Sequence, residues 1–486
     1  MLNKLKQLTK DTAIYGISTI VGRFLGFLLV PFYTNVFAES AMGIYGNIYA
    51  YIAFFNILYI FGMDAAFMKY ASLAKSSEKK SKFTTVYVFI FFTTIILTLF
   101  FYSASDSAAS FMEVPLEFHY LVELTIWILL LDTLALVPFA NLRLENRSLK
   151  FAFIKTVNII INLSLNLILI LIYDMGIEAV FYSNIAASGF SLLAVSGEIF
   201  KNVSFTFDVK TLKQMLKFGI PYLPASMAAT IVQVIDRPIL TKLTDNETVG
   251  LYTANYKLGI FMMLFVAMFQ YAWQPFFLNN AKEKDAKDVF AKVLTMFVLA
   301  ASLVWLFITL FIENFAAIEI LNGKTIIGKS YLSGLSIVPI ILFAYIFHGL
   351  YVNFSAGIYI EEKTKYMPLI TGLGAVSNVA ANLILIPYYG IMGAAVSTLI
   401  SYIVMSAGIF IVANKYYPVE YEYYKIGKMF LLMIVFGSAY YYLKSVGHDY
   451  LSYKIGLFFF FPIALIGSNI IQITEIKKLV KLITRR

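Results

Sequence analysis

A chain of 486 residues that is 60% hydrophobic, 14% charged and free of cysteine excludes a disulfide framework, thiolate metal sites and Cys nucleophiles. A mean hydropathy of +0.78 excludes a water-soluble protein of this length, which could not hide so much apolar surface; a bilayer accepts it as the outer face of helices. The formal charge of +10 admits nucleic acid, anionic lipid or an anionic substrate until the positions of the charges are counted.

A membrane-crossing helix needs about 20 mostly apolar residues. Fourteen such runs follow one another, at 12–37, 42–66, 83–104, 119–140, 150–172, 177–199, 217–241, 248–274, 290–312, 332–354, 366–387, 390–413, 426–443 and 455–473. The first is too long for the core of a cleavable leader and lacks a small-residue cleavage site, so no leader is expected. The expected fold is an all-α polytopic membrane protein.

Lys and Arg in the loops orient the spans. With the N-terminus in the cytoplasm, the inner segments carry 30 of the 38 basic residues and the outer segments 5, leaving Arg23, Arg237 and Lys257 inside spans. In this count Lys155 belongs to the inner loop that begins at Arg143. Both termini are therefore expected in the cytoplasm. The positive balance is explained by topology and anionic lipid, with no need for nucleic acid.

The chain also matches itself. At an offset of 207, Leu5-Lys6-Gln7 falls on Leu212-Lys213-Gln214, and Pro31, Gly43, Tyr45 and Tyr49 fall on Pro238, Gly250, Tyr252 and Tyr256. At an offset of 216, Glu145-Asn146-Arg147-Ser148 falls on Glu361-Glu362-Lys363-Thr364, and Asn162 and Asn166 on Asn378 and Asn382. Chance agreement between apolar helices would match Leu and Ile, but not Pro, Gly, Asn and loop charges in register. Each repeat holds six spans, an even number, so the two share one orientation about an axis along the membrane normal. The expected organisation is an N-lobe at 1–200, a cytoplasmic linker at 201–216, a C-lobe at 217–413, and two further helices with a basic tail at 414–486. Two six-helix lobes around a central cavity suit alternating access.

Charges inside spans are expensive and face a cavity or a partner. Arg23 lies near the middle of span one beside Ser18, Gly22 and Gly26, which either pack helices closely or open room for a headgroup. Asp236-Arg237 either forms an ion pair that fixes its helix, or offers Arg237 to an anion while Asp236 tunes it or takes a coupling ion. Lys257 either snorkels outward or joins the same cationic site. Three cations against Asp236 favour an anionic ligand such as phosphate. Asp64 and Asp132 are weaker candidates: Asp64, near the inner end of span two, pairs with Lys69 in the plainer reading, and Asp132 is either a proton or sodium site or a cap for a buried polar pair. Tyr49, Gln233, Tyr252, Tyr256, Gln270, Trp273 and Gln274 are candidates to line a sugar-accommodating cavity. His119, His348 and His448 are scattered and form no ligand cluster. Neither a metal nor another cofactor is expected, and no phosphate-cradling loop, HExxH or other catalytic motif occurs. The chain reads as a transporter driven by substrate or ion gradients, not as an enzyme.

The stretches Thr12-Ala-Ile-Tyr-Gly16 to Pro31-Phe-Tyr-Thr34, Asp236-Arg237-Pro238 to Asn255-Tyr256-Lys257, and Glu145-Asn146-Arg147 resemble Wzx-type polysaccharide flippases of the multidrug/oligosaccharidyl-lipid/polysaccharide exporter superfamily. The resemblance covers essentially the whole chain; it marks the branch better than the substrate. It implies translocation of a polyprenyl-pyrophosphate-linked oligosaccharide across a bacterial inner membrane, with Arg23, Arg237 and Lys257 holding pyrophosphate or acidic sugars and Asp236, Gln233 and Tyr256 beside them. Membrane lipids, a coupling H+ or Na+ at Asp236, Asp132 or Asp64, and other polysaccharide-assembly proteins are the implied partners. The fourteen spans are also similar to those of lipid II flippases, but span one carries one Arg and no adjacent Asp, a departure from that pattern. A cation-coupled multidrug exporter of the MATE type is the alternative transporter; it favours an acidic cavity and usually twelve spans. A membrane glycosyltransferase or polymerase would need a longer outer loop than 105–118 or 313–331 supplies.

Overall fold

The computed structural model describes residues 26–321 and 323–470; Ser18, Gly22, Arg23 and the basic tail lie outside these. Apolar runs without polar partners for their backbone must close every hydrogen bond within the segment, and helix is the form that does so. Among the described residues eleven helices are long and apolar enough to cross a membrane, and the shorter apolar Leu451–Gly467 follows them. This is a multi-pass membrane protein. Among the described residues the departure from an all-α chain is one small antiparallel hairpin, β1 (Glu319–Leu321) with β2 (Lys324–Thr325).

In chain order the helices are α1 (26–34), α2 (Glu39–Ile60), α3 (Met63–Ser72), α4 (Ser76–Ser103), α5 (Ser105–Phe111), α6 (Tyr120–Leu144), α7 (Ser148–Leu171), α8 (Glu178–Asn202), α9 (Val209–Gly219), α10 (Tyr222–Val234), α11 (Asp236–Leu243), α12 (Asn246–Tyr256), α13 (Ile260–Asn280), α14 (Ala286–Ala316), α15 (Val338–Ile360), α16 (Tyr366–Tyr416), α17 (Tyr423–Ser445) and α18 (Leu451–Gly467). Span two does not end at residue 66. It breaks at Phe61 and Gly62, both with positive φ (51° and 65°), and continues as α3. A side chain at Gly62 would also stand 2.5 Å from the Gly219 carbonyl oxygen. The stretch 201–216, read as a linker, already contains the start of α9, capped by the Asp208 carboxylate accepting from the Lys210 amide at 2.9 Å.

The chain divides into two compact units. The first holds the residues up to Lys257 together with Gly374–Ser397; the second holds Leu258–Leu373 and the residues from Thr398 on. Within the first, α3, α4, α6 and α9 bury Met63, Phe67, Phe83, Ile90, Val137 and Met215 in one apolar cluster. Hydroxyls on these helices return to the carbonyl one turn back, as Thr85 does to Ser81 and Thr125 to Leu121, which hides them from an apolar surround.

In the second unit Gly349 of α15 lets the Phe297 ring of α14 approach where a Cβ would stand 2.0 Å from it. The Trp305 indole N–H donates to the Pro339 carbonyl at 2.9 Å. At one end of α14 the Lys444 ammonium pairs with Glu313. Beside it the buried Lys454 reaches Asn314 Oδ1 at 2.7 Å and Asp449 at 2.9 Å.

The sequence repeat reappears as local geometry. Asn146 and Glu362 both adopt positive φ, 54° and 55°. Around them the amides of Glu145, Asn146 and Arg147 donate to Asn141, Arg143 and Leu142, while those of Glu361, Glu362 and Lys363 donate to Gly357, Tyr359 and Ile358. Every donor and acceptor is displaced by the same offset of 216. Likewise Asn166 Nδ2 donates to the Asn162 carbonyl at 2.8 Å, and Asn382 Nδ2 to the Asn378 carbonyl at 3.0 Å. The 51-residue α16 is two helices joined at Gly390 (φ 51°, ψ −127°), where the chain reverses tightly enough for Asn378 to donate to the Ser397 carbonyl at 3.5 Å.

Candidate functional site

α2 and α12 pack backbone against backbone near their N-terminal ends. A Cβ on Gly43 would stand 1.8 Å from the Asn246 carbonyl oxygen, and one on Gly250 would stand 1.9 Å from that of Glu39. Since 43 and 250, and 39 and 246, are each 207 apart, the contact is reciprocal. A Cβ on Gly46 would stand 2.2 Å from the hydroxyl oxygen of Thr253, its own equivalent. A contact between equivalent positions flanked by reciprocal ones is what two similarly directed helices make about a local two-fold axis.

Asp245 caps α12 by accepting from the Thr248 amide at 2.7 Å, which turns the chain between α11 and α12. The turn lays Asp236 and Arg237 against Tyr252 and Tyr256, one helical turn apart and so on one face. Arg237 Nη1 donates to Asp236 Oδ1 at 2.9 Å and to the Gln233 carbonyl at 2.9 Å. The Tyr252 hydroxyl donates to Asp236 Oδ2. The guanidinium carbon lies 4.4 Å from the centre of the Tyr256 ring and 5.3 Å from that of Tyr252, within range of cation–π attraction. Asp236 and the Arg237 side chain are 2% and 10% exposed. Gln233 contributes its backbone, while its own side chain is exposed.

Lys257 follows Tyr256 but reaches the other way. Its ammonium donates to the Tyr45 hydroxyl at 3.3 Å and lies 4.7 Å over that ring. Among the described residues it has no carboxylate partner within ion-pair distance. The sequence does not reveal Tyr45 as its partner, since the two are 212 residues apart.

Tyr45 opens a polar row that continues through Tyr49, with ring centroids 4.5 Å apart. Tyr49 accepts from Asn184 Nδ2 at 2.8 Å, and Asn184 Oδ1 accepts from the Ser188 hydroxyl at 3.5 Å. Ser188 also lies beside Asp132, and Lys155 is near enough to act on that carboxyl electrostatically. Lys155 is a loop cation in the sequence count, but it stands inside α7 with its ammonium 4.2 Å over the Phe139 ring. Asn158 completes the surface by donating to Ser191 at 3.0 Å.

Asp64 stands apart in the first turn of α3, where a helix N-terminus favours a carboxylate. The expected Asp64–Lys69 pair does not form: the Lys69 ammonium lies 4.0 Å over the Phe218 ring. In the second unit Trp273 is buried and donates to the Asn353 carbonyl at 3.3 Å, whereas Gln270 and Gln274 are exposed. Arg23 falls outside the described residues. The structure thus brings together Asp236, Arg237, Tyr252 and Tyr256, links Lys257 to Tyr45, and leaves Asp132 at the far end of the polar row.

Comparison with known proteins adds the family. Residues 8–281 match the family described as polysaccharide biosynthesis protein. No protein of curated function matches significantly in sequence. Among solved structures, the lipid II flippase MurJ in an inward closed conformation is similar with a TM-score of 0.72 at 16% identity, covering 94% of this chain and 99% of that one. An inward-facing multidrug resistance MATE family transporter of the MOP superfamily has a TM-score of 0.67 at 14% identity, covering 84% and 95%. A MOP superfamily transporter from Pyrococcus furiosus, described as having a binding pocket of reverse polarity, has a TM-score of 0.54 at 15% identity, covering 84% and 95%. These relatives are flippases and transporters, not enzymes, and the chain belongs to the polysaccharide biosynthesis protein family.

Proposed function

We propose that this protein is a flippase that moves a polyprenyl-pyrophosphate-linked oligosaccharide from the inner to the outer leaflet of a bacterial cytoplasmic membrane by alternating access. The proposal includes fourteen spans, two six-helix lobes of like orientation with two helices added, and both termini in the cytoplasm. Membership of the polysaccharide biosynthesis family and the likeness to a lipid-linked substrate flippase support the general activity.

The observation that carries the reading is Lys257. An ammonium at the junction of α12 and α13, within a segment apolar enough to cross a membrane, held by a tyrosine and facing no described carboxylate, can offer its charge to an anion. A MATE-type exporter of cationic drugs needs the opposite sign, and here the Asp236 carboxylate is already spent on Arg237 and Tyr252. Arg237, and Arg23 from span one, supply further positive charge for a pyrophosphate, to which guanidinium geometry is suited. A proton or sodium ion arriving at Asp236 would weaken its hold on Arg237 and so couple ion entry to anion binding; Asp64, in the first turn of α3, is a second place for such an ion.

The reciprocal Gly43–Asn246 and Gly250–Glu39 contacts close the outer ends of α2 and α12 in this orientation. Export requires them to part. Deleting the gene in a strain with no redundant flippase tests the reading. Lipid-linked glycan should accumulate in the inner leaflet and surface polysaccharide should disappear; intact surface polysaccharide would refute it.

A further inference from the structure

Four helices of the first unit, α2, α6, α7 and α8, present side chains whose chemistry is unlike that of their surroundings. Tyr45, Tyr49, Asn158, Asn184 and Lys155 are half-buried and Asp132 is exposed, whereas the hydroxyls that brace them, Ser188 and Ser191, are buried. A carboxylate near the middle of a membrane-crossing helix is too costly to face lipid. Asp132 instead lies beside Ser188 and near Lys155. Lys155 is close enough to act on Asp132, yet its ammonium rests on Phe139 and the two form no ion pair. Opposite charges that act on each other without pairing leave room for a polar group between them.

The residue types fit one class of ligand. A saccharide offers neighbouring hydroxyls, each both donor and acceptor, on a ring with apolar faces. A carboxylate accepts from such hydroxyls, a primary amide both donates and accepts, and an aromatic ring covers the apolar face. Asp132, Asn158 and Asn184 supply the first two, and the paired rings of Tyr45 and Tyr49 the third. The row is also directional. Tyr45 holds Lys257 at one end and Lys155 closes the other, while Asn184 to Ser191 alone spans about 10 Å of helix.

We infer that this face, from Tyr45 and Tyr49 through Asn184 to Asp132, Asn158 and Lys155, is a sugar-binding subsite for the glycan nearest the pyrophosphate, with Lys155 placed for an acidic substituent. The inference rests on the flippase reading and adds to it where the saccharide lies. The same row would be a polar seam if it merely held α2, α7 and α8 together, and Asp132 would be an ion site if it served coupling alone.

Binding to the full-length protein in lipid nanodiscs separates these. The probes are the polyprenyl-linked glycan extracted from the gene-deletion strain, and undecaprenyl pyrophosphate without sugar. Wild type should bind the first about tenfold more tightly than the second. Asn184→Ala and Asp132→Asn should each abolish most of that difference while leaving affinity for the sugar-free probe unchanged. Tyr49→Phe, which keeps the ring and loses the hydroxyl, should lose less. Equal wild-type affinity for both probes overturns the inference, as do variants that bind both as wild type does, the result expected if Asp132 serves only an ion. Variants that lose both probes alike, with a lowered thermal midpoint, show a polar seam and overturn it too. If wild type binds neither probe, or the deletion strain holds no lipid-linked glycan, the flippase reading itself fails and the inference with it. Should Asp132→Asn fail to fold, Asn184→Ala decides.

Discussion

Gly43 stands against the main chain of Asn246 with no room for a methyl group, and the residue 207 positions later repeats the relation against Glu39. The two halves of the chain therefore meet through backbone at equivalent points. Side chains at these positions would hold the helices apart.

Gly43→Val should block closure of that end of α2 and α12. The chain has no cysteine, so a single Thr253→Cys, buried at 3% exposure opposite Gly46, is a clean reporter. In the Gly43→Val background a membrane-impermeant maleimide applied outside should label it at least about tenfold faster than in the parent, with export lost. Unchanged labelling would show that the contact does not gate the outer side.

Asp236→Asn should destabilise the protein by about 3–5 kcal/mol, because it leaves the Arg237 guanidinium without its carboxylate in a buried setting. The detergent-solubilised protein should show a lower thermal midpoint and poorer yield. Replacing both residues, Asp236→Asn with Arg237→Gln, should recover part of the midpoint but not transport.

Lys257→Met should do the reverse: export falls about tenfold or more while the midpoint moves little, since a half-exposed ammonium on a tyrosine contributes little to folding. Tyr45→Phe keeps the ring under the ammonium and should cost about threefold at most. Complementation of the deletion strain reads both.

Acid should loosen the loops that carry Asp208 and Glu422 at a definable point. The Thr211 hydroxyl and the backbone amides of Thr211 and Lys210 hold the exposed Asp208 carboxyl below its ordinary 3.8. Partial burial pulls Glu422 up, but hydrogen bonds from Lys425 and Thr295 and the charges of Lys425 and Lys292 outweigh it, leaving its carboxyl below 4.5. A carboxyl lowered in the folded state stabilises above its unfolded pKa, and that contribution is lost as pH falls through the folded one. The thermal midpoint should be insensitive to these groups from pH 7 to about 5 and drop below 4. Glu422→Gln should flatten part of the drop; a slope identical to wild type would refute the assignment.

Glu198→Gln should separate α7 from α8 at one end. Glu198 is buried and its Oε1 accepts from Arg147 at 2.6 Å and Lys150 at 2.7 Å. Neutralising it leaves two cations around a neutral amide, with an expected cost of about 1–3 kcal/mol and faster proteolysis at the turn containing Asn146.

The membrane class was legible because it depends on composition and run length, which every residue reports. The repeat was legible where residues recur unchanged, as Gly43, Pro31 and Asn162 do in Gly250, Pro238 and Asn378; at the turn, where Asn146 and Arg147 fall on Glu362 and Lys363, the shared positive φ carries it instead. Partnerships were not. Lys257 and Tyr45, or Tyr33 and Asn166, whose hydroxyl and amide meet at 2.7 Å across 133 residues, are set by packing that leaves no local pattern. Lys155 was misplaced for a related reason. A Lys two turns into a helix looks like a loop charge until a ring such as Phe139 is seen to receive it. The break at Phe61 escaped because nothing marks Phe for a positive φ; Gly62 beside it was the signal available.

The two repeat offsets, 207 early and 216 later, mean that the second half carries nine more residues between its matched blocks than the first. The β1–β2 hairpin lies within that stretch, with Gly323 at φ 75° in its turn. A position where one copy of a duplicated plan has gained length while the other has not is a position that tolerates insertion. An epitope placed between Gly323 and Lys324 should leave export intact, and antibody staining of unpermeabilised cells would then report which way round the chain sits.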